Sequence, residues 1–136
     1  HAATGFGALG YGIPAAIGAA LAEPDAQVIC ITGDGGAQFS LPELMVAKDE
    51  ELPIVFLVWN NHGYQEIETS MQAAGVTVLG CHPTPPDFKA IAASCAIPFC
   101  ACVSEADALV AALKTVTDTP GPVMIEIQAP NYAQSG

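Results

Sequence analysis

Short apolar segments alternate with helix-forming segments along this 136-residue sequence. The apolar segments are rich in β-branched residues and do not alternate with polar ones, which predicts strands buried on both faces. The predicted strands occupy residues 27–32, 54–59, 98–103 and 122–128, and predicted helices occupy residues 11–22, 40–50, 64–72, 84–95 and 104–117. This order is typical of an α/β fold, a doubly wound parallel sheet with helices on both faces.

Ser104 with Asp107 is predicted to cap the last helix, and two earlier helices are predicted to begin at capping boxes. In this motif a hydroxyl side chain and an acidic side chain three residues later satisfy free amides of the first turn. Ser40 with Glu43 forms one such pair, and Thr84 with Asp87 forms the other. We therefore expect both hydroxyl groups to cap helices.

The composition is unusual for an isolated domain, because 51% of the residues are hydrophobic and only 12% are charged. Soluble domains average about 25% charged residues. Other domains or subunits are therefore expected to cover much of the surface. The sequence also begins with His1 rather than Met. We expect residues 1–136 to form one domain and to be a fragment of a longer multi-domain chain.

The charged residues are mostly acidic, with a net charge of −11, three lysines and no arginine. Nucleic-acid binding requires a basic surface that neutralises phosphates, so this class of function is excluded. The lack of arginine also means that backbone amides or a metal ion must hold any phosphate group that binds here.

Cysteine usage and hydropathy favour a cytoplasmic protein that does not enter the membrane. The five cysteines form no C-x-x-C pair, and they are interpreted as small buried apolar residues in a reducing compartment. The longest apolar stretch, residues 9–22, is too short to span a bilayer and is interrupted by Gly10, Gly12 and Pro14.

Polar residues follow directly after the first two predicted strands. Gly33-Asp34-Gly35-Gly36 follows one strand, and Asn60-Asn61-His62-Gly63-Tyr64 closes the next. Asp34 offers a carboxylate, Asn61 an amide oxygen and Gly63 a backbone carbonyl, which are ligands suited to Mg²⁺ or Ca²⁺. One carboxylate is too few for an all-protein site, so a bound diphosphate or triphosphate is expected to complete the coordination.

The two loops together resemble the signature of thiamin diphosphate (ThDP)-dependent enzymes. That signature is G-D-G followed by N-N, and here 24 residues separate Gly35 from Asn60. The resemblance implies that Mg²⁺ is held by Asp34, Asn61 and the carbonyl of Gly63. It also implies that the cofactor's diphosphate lies beside this loop, with the contacts made by Gly33, Gly35, Gly36 and Tyr64.

A second segment, residues 5–18 (GFGALGYGIPAAIG), resembles the stretch that precedes G-D-G in the decarboxylase and acetolactate synthase branch of this family. The resemblance implies that Leu9 wedges under the cofactor and imposes a bent conformation. It also implies that the carbonyl of Gly7 accepts a hydrogen bond from the 4′-amino group. Such bending is a proximity effect, because it brings that amino group close to the carbon it deprotonates.

For the whole enzyme, a lyase or transferase, the resemblance implies decarboxylation of a 2-oxo acid. Residues 60–71 (NNHGYQEIETSM) are more similar to decarboxylases near the 5-guanidino-2-oxopentanoate enzyme than to acetolactate synthases. An acetolactate synthase-like carboligase stays open as an alternative. From another class, so does a non-catalytic binding or assembly domain of the same fold.

No catalytic residue is expected in this chain. The family's activating glutamate comes from the pyrimidine-binding domain, usually that of the neighbouring subunit, and Glu126 lies in a strand at the wrong end of the sequence to play that part. The expected partners are therefore the pyrimidine-binding domain, a 2-oxo acid substrate and further copies of the chain in a homo-dimer or tetramer. The fragment alone is expected to be inactive.

Other interpretations compete at several positions. Residues 5–10 (GFGALG) match the dinucleotide-binding pattern G-x-G-x-x-G, although no strand is predicted before them. His62 is interpreted as an exposed residue at the rim of the site rather than a proton donor. Glu66 and Glu68 have two interpretations. Either one of them faces the substrate, or both are negative charges that stabilise the N-terminus of a helix. Trp59 is predicted to lie in the core.

Overall fold

The computed structural model describes residue 2, residues 5–116 and residues 118–130. Helices and strands alternate through these ranges. In chain order the elements are α1 (Gly12–Ala22), β1 (Val28–Gly33), α2 (Asp34–Ala37), a 3₁₀ turn (Leu41–Glu43), α3 (Leu44–Asp49), β2 (Ile54–Asn60), α4 (Gln65–Ala73), α5 (Phe88–Ser94), β3 (Phe99–Val103), α6 (Ala106–Val116) and β4 (Val123–Gln128).

The four strands form one parallel sheet in the order β1-β2-β4-β3. Val28 of β1 lies opposite Ile54 of β2, and Val55 of β2 lies opposite Val123 of β4. Each crossover between parallel strands contains at least one helix, as parallel pairing requires. The predicted fold class, a doubly wound parallel α/β sheet, is confirmed.

Helices cover both faces of the central strands. On one face, Phe56, Val58 and Met124 pack with residues of α1, α3 and α5. On the other face, Leu57 and Ile125 pack with residues of α6. Successive residues of a strand point to opposite faces, and this alternation explains how β2 and β4 supply both halves of the core.

The prediction that residues 27–32 form a strand buried on both faces is wrong. Ile29 is 51% exposed and Ile31 is 73% exposed, both on the face of β1 away from the buried Cys30. α4 is the helix that follows β2, and it contains no buried residue that could cover this face. One face of β1 is therefore apolar and uncovered in this chain.

Both predicted capping boxes are wrong. Ser40 makes no capping hydrogen bond, and the helix after it begins as a 3₁₀ turn. The second helix begins later than predicted, and its cap is Asp87, which accepts a hydrogen bond from the amide of Ala90 at 2.9 Å. Prolines explain the second result, because a residue before proline is disfavoured in the helical region and Thr84 is followed by two prolines. Ser40 still precedes the first turn, although its side chain makes no capping hydrogen bond.

The remaining structural predictions concern the chain end, the membrane and the cysteines. The predicted end of the last helix at Thr117 lies outside the described residues. No helix in the described ranges has the length and apolar character needed to cross a membrane. All five cysteines are unpaired, and burial raises the pKa of the Cys30 thiol to about 11, which makes it unreactive.

Candidate functional site

The two polar loops meet at the carboxyl end of β1 and β2. Because the strands are parallel and adjacent, Gly33 at the end of β1 lies opposite Trp59 near the end of β2. The chain then turns into α2 on one side and into the loop before α4 on the other. Ligand sites of open α/β sheets form at this edge, outside the carboxyl ends of the strands.

Three oxygen atoms converge between the loops. The side-chain amide nitrogen of Asn61 donates to Oε1 of Gln65 at 2.7 Å, which turns its oxygen towards the loops. That oxygen lies 3.1 Å from Oδ1 of Asp34 and 3.1 Å from the carbonyl oxygen of Gly63. Adjacent ligands of an octahedral Mg²⁺ at 2.0–2.1 Å lie about 3 Å apart, so the spacing and the donor set both fit this ion.

The opposite orientation of the Asn61 amide does not satisfy all of its neighbours. It would place the nitrogen within 3.1 Å of the Asp34 and Gly63 oxygens, but it would set the Asn61 oxygen 2.7 Å from Oε1 of Gln65. If a cation lies among the three oxygens, the orientation with the Asn61 oxygen facing Asp34 and Gly63 is favourable, and the amide of Gln65 does not have to rotate. This orientation therefore applies when a cation is bound, whereas without one the rotated Asn61 amide donates to the oxygens of Asp34 and Gly63.

Asp34 is almost fully buried, with 1% of its surface exposed, and its Oδ2 has no hydrogen-bond partner among the described residues. Burial raises the pKa of this carboxyl group, and backbone amides of Gly35, Gly63 and Asn61 partly lower it. A buried carboxylate with an unpartnered oxygen is costly unless a cation compensates its charge. Bound cations therefore compete with protons for this group.

Glycines on the β1 side leave space that other residues would fill. A Cβ atom at Gly35 would collide with the ring of Tyr64. A Cβ atom at Gly36 would lie 3.4 Å from Oγ1 of Thr32 and 3.8 Å from Cδ2 of Leu9. Gly35 is thus required by the Tyr64 ring that packs against it, whereas a Cβ atom at Gly36 would make ordinary contacts.

A cleft of about 750 Å³ opens over these loops, within the size range of small-molecule and cofactor sites. Asp34 and Glu66 are the charged residues that line it, and none of the three lysines does. The predicted site residues that line the cleft are Leu9, Gly33, Asp34, Gly35, Gly36, Asn61, Gly63 and Tyr64.

One predicted cofactor residue lies outside the lining. Gly7 has a left-handed backbone with φ of 68° and is exposed next to Ala8, which does line the cleft. Leu9 is 45% exposed and faces the cleft. The structure therefore supports the position of Leu9 more directly than that of Gly7.

Other predictions near the site have mixed outcomes. The prediction of a core position for Trp59 is wrong, because this residue is 40% exposed and lines the cleft. Glu66 lines the cleft as well, whereas His62 is exposed and lines a second, smaller cavity. Glu68 faces that second cavity, where it lies 3.5 Å from Nε2 of His82.

Two contacts of the loop after β2 were not predicted from the sequence. The side-chain amide of Asn60 donates to Oε1 of Glu126 in β4 at 2.6 Å. The backbone amide of Tyr64 donates to the carbonyl of Cys81 at 2.9 Å. A glutamate within an otherwise apolar strand is a signal that could have drawn attention to Glu126, because buried charges need partners.

Several known proteins resemble this chain over most of its length. Residues 1–127 match the family described as thiamine pyrophosphate enzyme, C-terminal TPP binding domain, thiamine pyrophosphate (TPP) being another name for ThDP. The chain is 38% identical to acetolactate synthase 2 of Brassica napus, over 93% of this chain and 21% of that protein. It is 39% identical to a Pseudomonas aeruginosa protein assigned as a 2-ketoarginine decarboxylase, over 69% of this chain and 17% of that protein.

A solved structure has the same architecture. The thiamine diphosphate-dependent 4-hydroxybenzoylformate decarboxylase of Rhodococcus jostii superimposes with a TM-score of 0.82 and is 31% identical, over 90% of this chain and 23% of that chain. The chain thus spans about a fifth of the length of the relatives it matches. The glycines of residues 5–10 lie in turns that lead into α1, so the dinucleotide-binding interpretation receives no support.

The buried carboxylate yields a prediction for the metal-free protein. Burial raises the pKa of folded Asp34 above its unfolded value, so stability is lost as pH rises from the unfolded pKa through the folded pKa. We expect Asp34→Asn to melt at a temperature no lower than the wild type in chelator at pH 7. Asp87→Asn, which keeps an exposed helix cap, is the control. A large loss of stability in Asp34→Asn alone would contradict this account.

Proposed function

The chain belongs to the thiamine pyrophosphate enzymes through their C-terminal TPP-binding domain, and on this basis we propose that it binds ThDP with Mg²⁺ in a 2-oxo acid decarboxylase. The observation that carries the metal proposal is the convergence of three oxygens, from Asp34, Asn61 and Gly63, with 3.1 Å between neighbours. Oxygen ligands with one carboxylate are what Mg²⁺ takes when a phosphate and water complete its shell.

The diphosphate is held by the metal and by backbone amides in this proposal. No lysine lines the cleft and the sequence has no arginine, so no cationic side chain is available there. Gly33, Gly35 and Gly36 lie beside the diphosphate, and the ring of Tyr64 closes over Gly35. Carboxylate and phosphate charges then meet on one Mg²⁺ ion, which offsets the repulsion between them.

The other end of the cofactor extends towards the segment before α1. Leu9 offers an apolar side chain in the cleft, and the carbonyl of Gly7 accepts from the 4′-amino group. ThDP, when bound, supplies the carbon nucleophile that adds to the carbonyl of a 2-oxo acid and lets CO₂ leave. The residues of this chain hold the cofactor in place for that reaction, which is a positioning effect.

The activating carboxylate belongs to another domain, the pyrimidine-binding domain of a neighbouring subunit. Exposed apolar side chains near the cleft favour such a cover. Phe6 is 96% exposed, and Phe39, which packs beside Gly10, is 63% exposed. Apolar surface of this kind is typical of interaction sites. We place the domain in a longer multi-domain chain that forms a dimer or tetramer, and the five unpaired cysteines favour the cytoplasm.

Decarboxylase and carboligase share the first half of the reaction and differ in the fate of the intermediate. Protonation releases an aldehyde, whereas transfer to a second 2-oxo acid gives a product such as acetolactate. The relative assigned as a 2-ketoarginine decarboxylase favours the first outcome. Acetolactate synthases from Brassica napus and Escherichia coli, at 38% and 33% identity, favour the second as an alternative. A non-catalytic binding or assembly domain is the third possibility.

The central experiment is cofactor binding by the intact enzyme. We expect Asp34→Ala to lower ThDP affinity at saturating Mg²⁺ by at least 100-fold, because it removes the one carboxylate of the metal site. Quenching of Trp59, which lines the cleft, provides the measurement. Asp25→Ala, in an exposed turn before β1, is the control. Unchanged affinity in Asp34→Ala would refute the assigned metal site.

The 136-residue chain alone tests the expected need for a second domain. We expect weak Mg²⁺-dependent ThDP binding and no turnover of any 2-oxo acid, because the activating carboxylate is elsewhere. Product analysis by mass spectrometry provides the measurement. Release of CO₂ by the purified chain would show that the catalytic set is complete without a partner.

Glu66 provides a test of substrate class, since among the described residues it is the one charged residue besides Asp34 that lines the cleft. A carboxylate there favours a cationic 2-oxo acid such as 5-guanidino-2-oxopentanoate. We expect Glu66→Gln to raise KM for that substrate about tenfold and to leave KM for pyruvate unchanged, a loss of about 1.4 kcal/mol. Glu68→Gln, on the second cavity, is the matched control. Equal effects on both substrates would count against a cationic substrate.

A further inference from the structure

Glu126 is the one residue with a carboxyl, ammonium or guanidinium group within the four described strands. It lies in β4 opposite Val58 of β2 and Ala101 of β3, so the sheet surrounds it on both sides. Its side chain is partly buried, and a carboxylate partly removed from water is stabilised by a hydrogen-bond partner. Its partner is Asn60, the last residue of β2, whose Nδ2 lies 2.6 Å from Oε1 of Glu126.

Asn60 is 4% exposed and uses both ends of its side chain. Its nitrogen donates to Glu126, and its oxygen accepts from the backbone amide of His62 at 3.1 Å. An ionised carboxylate can only accept hydrogen bonds, so Glu126 selects the orientation in which the Asn60 oxygen faces the loop. Glu126 therefore determines that the oxygen of Asn60, and not its nitrogen, contacts the backbone amide of His62.

The contact to His62 stabilises an unusual backbone. His62 has φ of 64°, in the left-handed region that residues other than glycine seldom occupy. A hydrogen bond from the amide two residues on to the Asn60 oxygen is an Asx turn, which favours a tight reversal. This reversal turns Asn61 and Gly63 back so that their oxygens approach Asp34.

A second contact holds the far end of the same loop. The amide of Tyr64 donates to the carbonyl of Cys81, and a Cβ atom at Gly63 would collide with that carbonyl. In a trans peptide the C=O and N–H groups point in opposite directions, so the carbonyl of Gly63 points away from Cys81. It points towards the Asn61 oxygen, at 3.1 Å.

We propose that Glu126 is a positioning residue, which acts through Asn60 to hold loop 60–63 in the shape that binds the metal ion. The inference rests on the proposed function, since it assigns the three oxygens to Mg²⁺. Glu126 itself touches neither metal nor cofactor in this scheme. Residues that hydrogen-bond metal ligands directly typically change metal affinity 10-fold to 100-fold when they are removed, and Glu126, which acts through Asn60, is expected at the lower end of this range.

The test compares substitutions of Glu126 in the intact enzyme. Mn²⁺, titrated in the presence of ThDP and counted by electron paramagnetic resonance, serves as the probe of the metal site. We expect Glu126→Leu to weaken Mn²⁺ binding about 10-fold. Glu126→Gln keeps an acceptor for Asn60, so its affinity should stay within about threefold of the wild type. Gln128→Ala, an exposed change two residues on, is the matched control.

A structural role alone would give a different pattern. If Glu126→Leu acts through the loop, excess Mg²⁺ should restore ThDP binding, followed by the fluorescence of Trp59. Asn60→Ala should show the same loss, and the double variant should be no weaker than Asn60→Ala, because both changes break one hydrogen-bonded chain. Additive losses, or a deficit that excess Mg²⁺ does not correct, would overturn the proposal.

The outcome also separates this inference from the proposed function. Failure of the wild type to bind Mn²⁺ with ThDP would refute the metal site itself. Wild-type binding together with full affinity in Glu126→Leu would refute only the positioning role. Thermal unfolding of each variant in chelator shows whether the fold persists, and Glu126→Gln keeps the test decisive if the leucine variant does not fold.

Discussion

The parallel register between β1 and β2 is the constraint on which the site depends. It sets Gly33 opposite Trp59, so the residues that follow each strand emerge side by side. A slip of one residue would move one loop by about 3.3 Å along the sheet and turn its side chains to the opposite face. Asp34 and Asn61 would then no longer meet. The alternating core contacts of β2 resist such a slip, since each face of that strand packs against different helices.

The loops contain two local features that cost free energy. Asp34 is buried with one oxygen unpartnered, and His62 has a left-handed backbone. Such features cost of order 1–3 kcal/mol each and persist where the surrounding structure enforces them. Here the enforcing contacts come from outside the loops, from Glu126 in β4 and from the carbonyl of Cys81. The costly features and the contacts that stabilise them therefore lie together at the carboxyl edge of the sheet.

The sequence predicts the fold class and the central residues of the site because both have local signals. Apolar runs of strand length identify β2 and β4, and G-D-G and N-N identify Asp34 and Asn61. Residue types alone could not predict the Glu126 contact, because its partner is 66 positions away and the pairing depends on strand order. The prediction that Trp59 is buried was wrong for a similar reason, because its burial depends on which element of the fold covers the end of β2.

The predicted helix start at Thr84 was wrong because the capping motif does not take the conformational limits of neighbouring residues into account. At Thr84 the capping pattern is correct in its letters, yet the two prolines after it disfavour a helical residue between them. Asp87, three residues later, takes over as the cap because its side chain reaches the amide of Ala90. A capping motif therefore predicts the first residue of a helix well only where no neighbouring residue, such as proline, restricts the backbone conformation.

The absence of cationic side chains from the cleft has a consequence for how the domain works. Other diphosphate sites can share the charge among arginines and lysines, but the described lining of this cleft contains neither. Under the proposed function, the Asp34 carboxylate and the diphosphate share one metal ion. Under the proposed function, metal and cofactor each bind weakly alone and strongly together, and the coupling is reciprocal. The geometry of loop 60–63 therefore governs affinity for both.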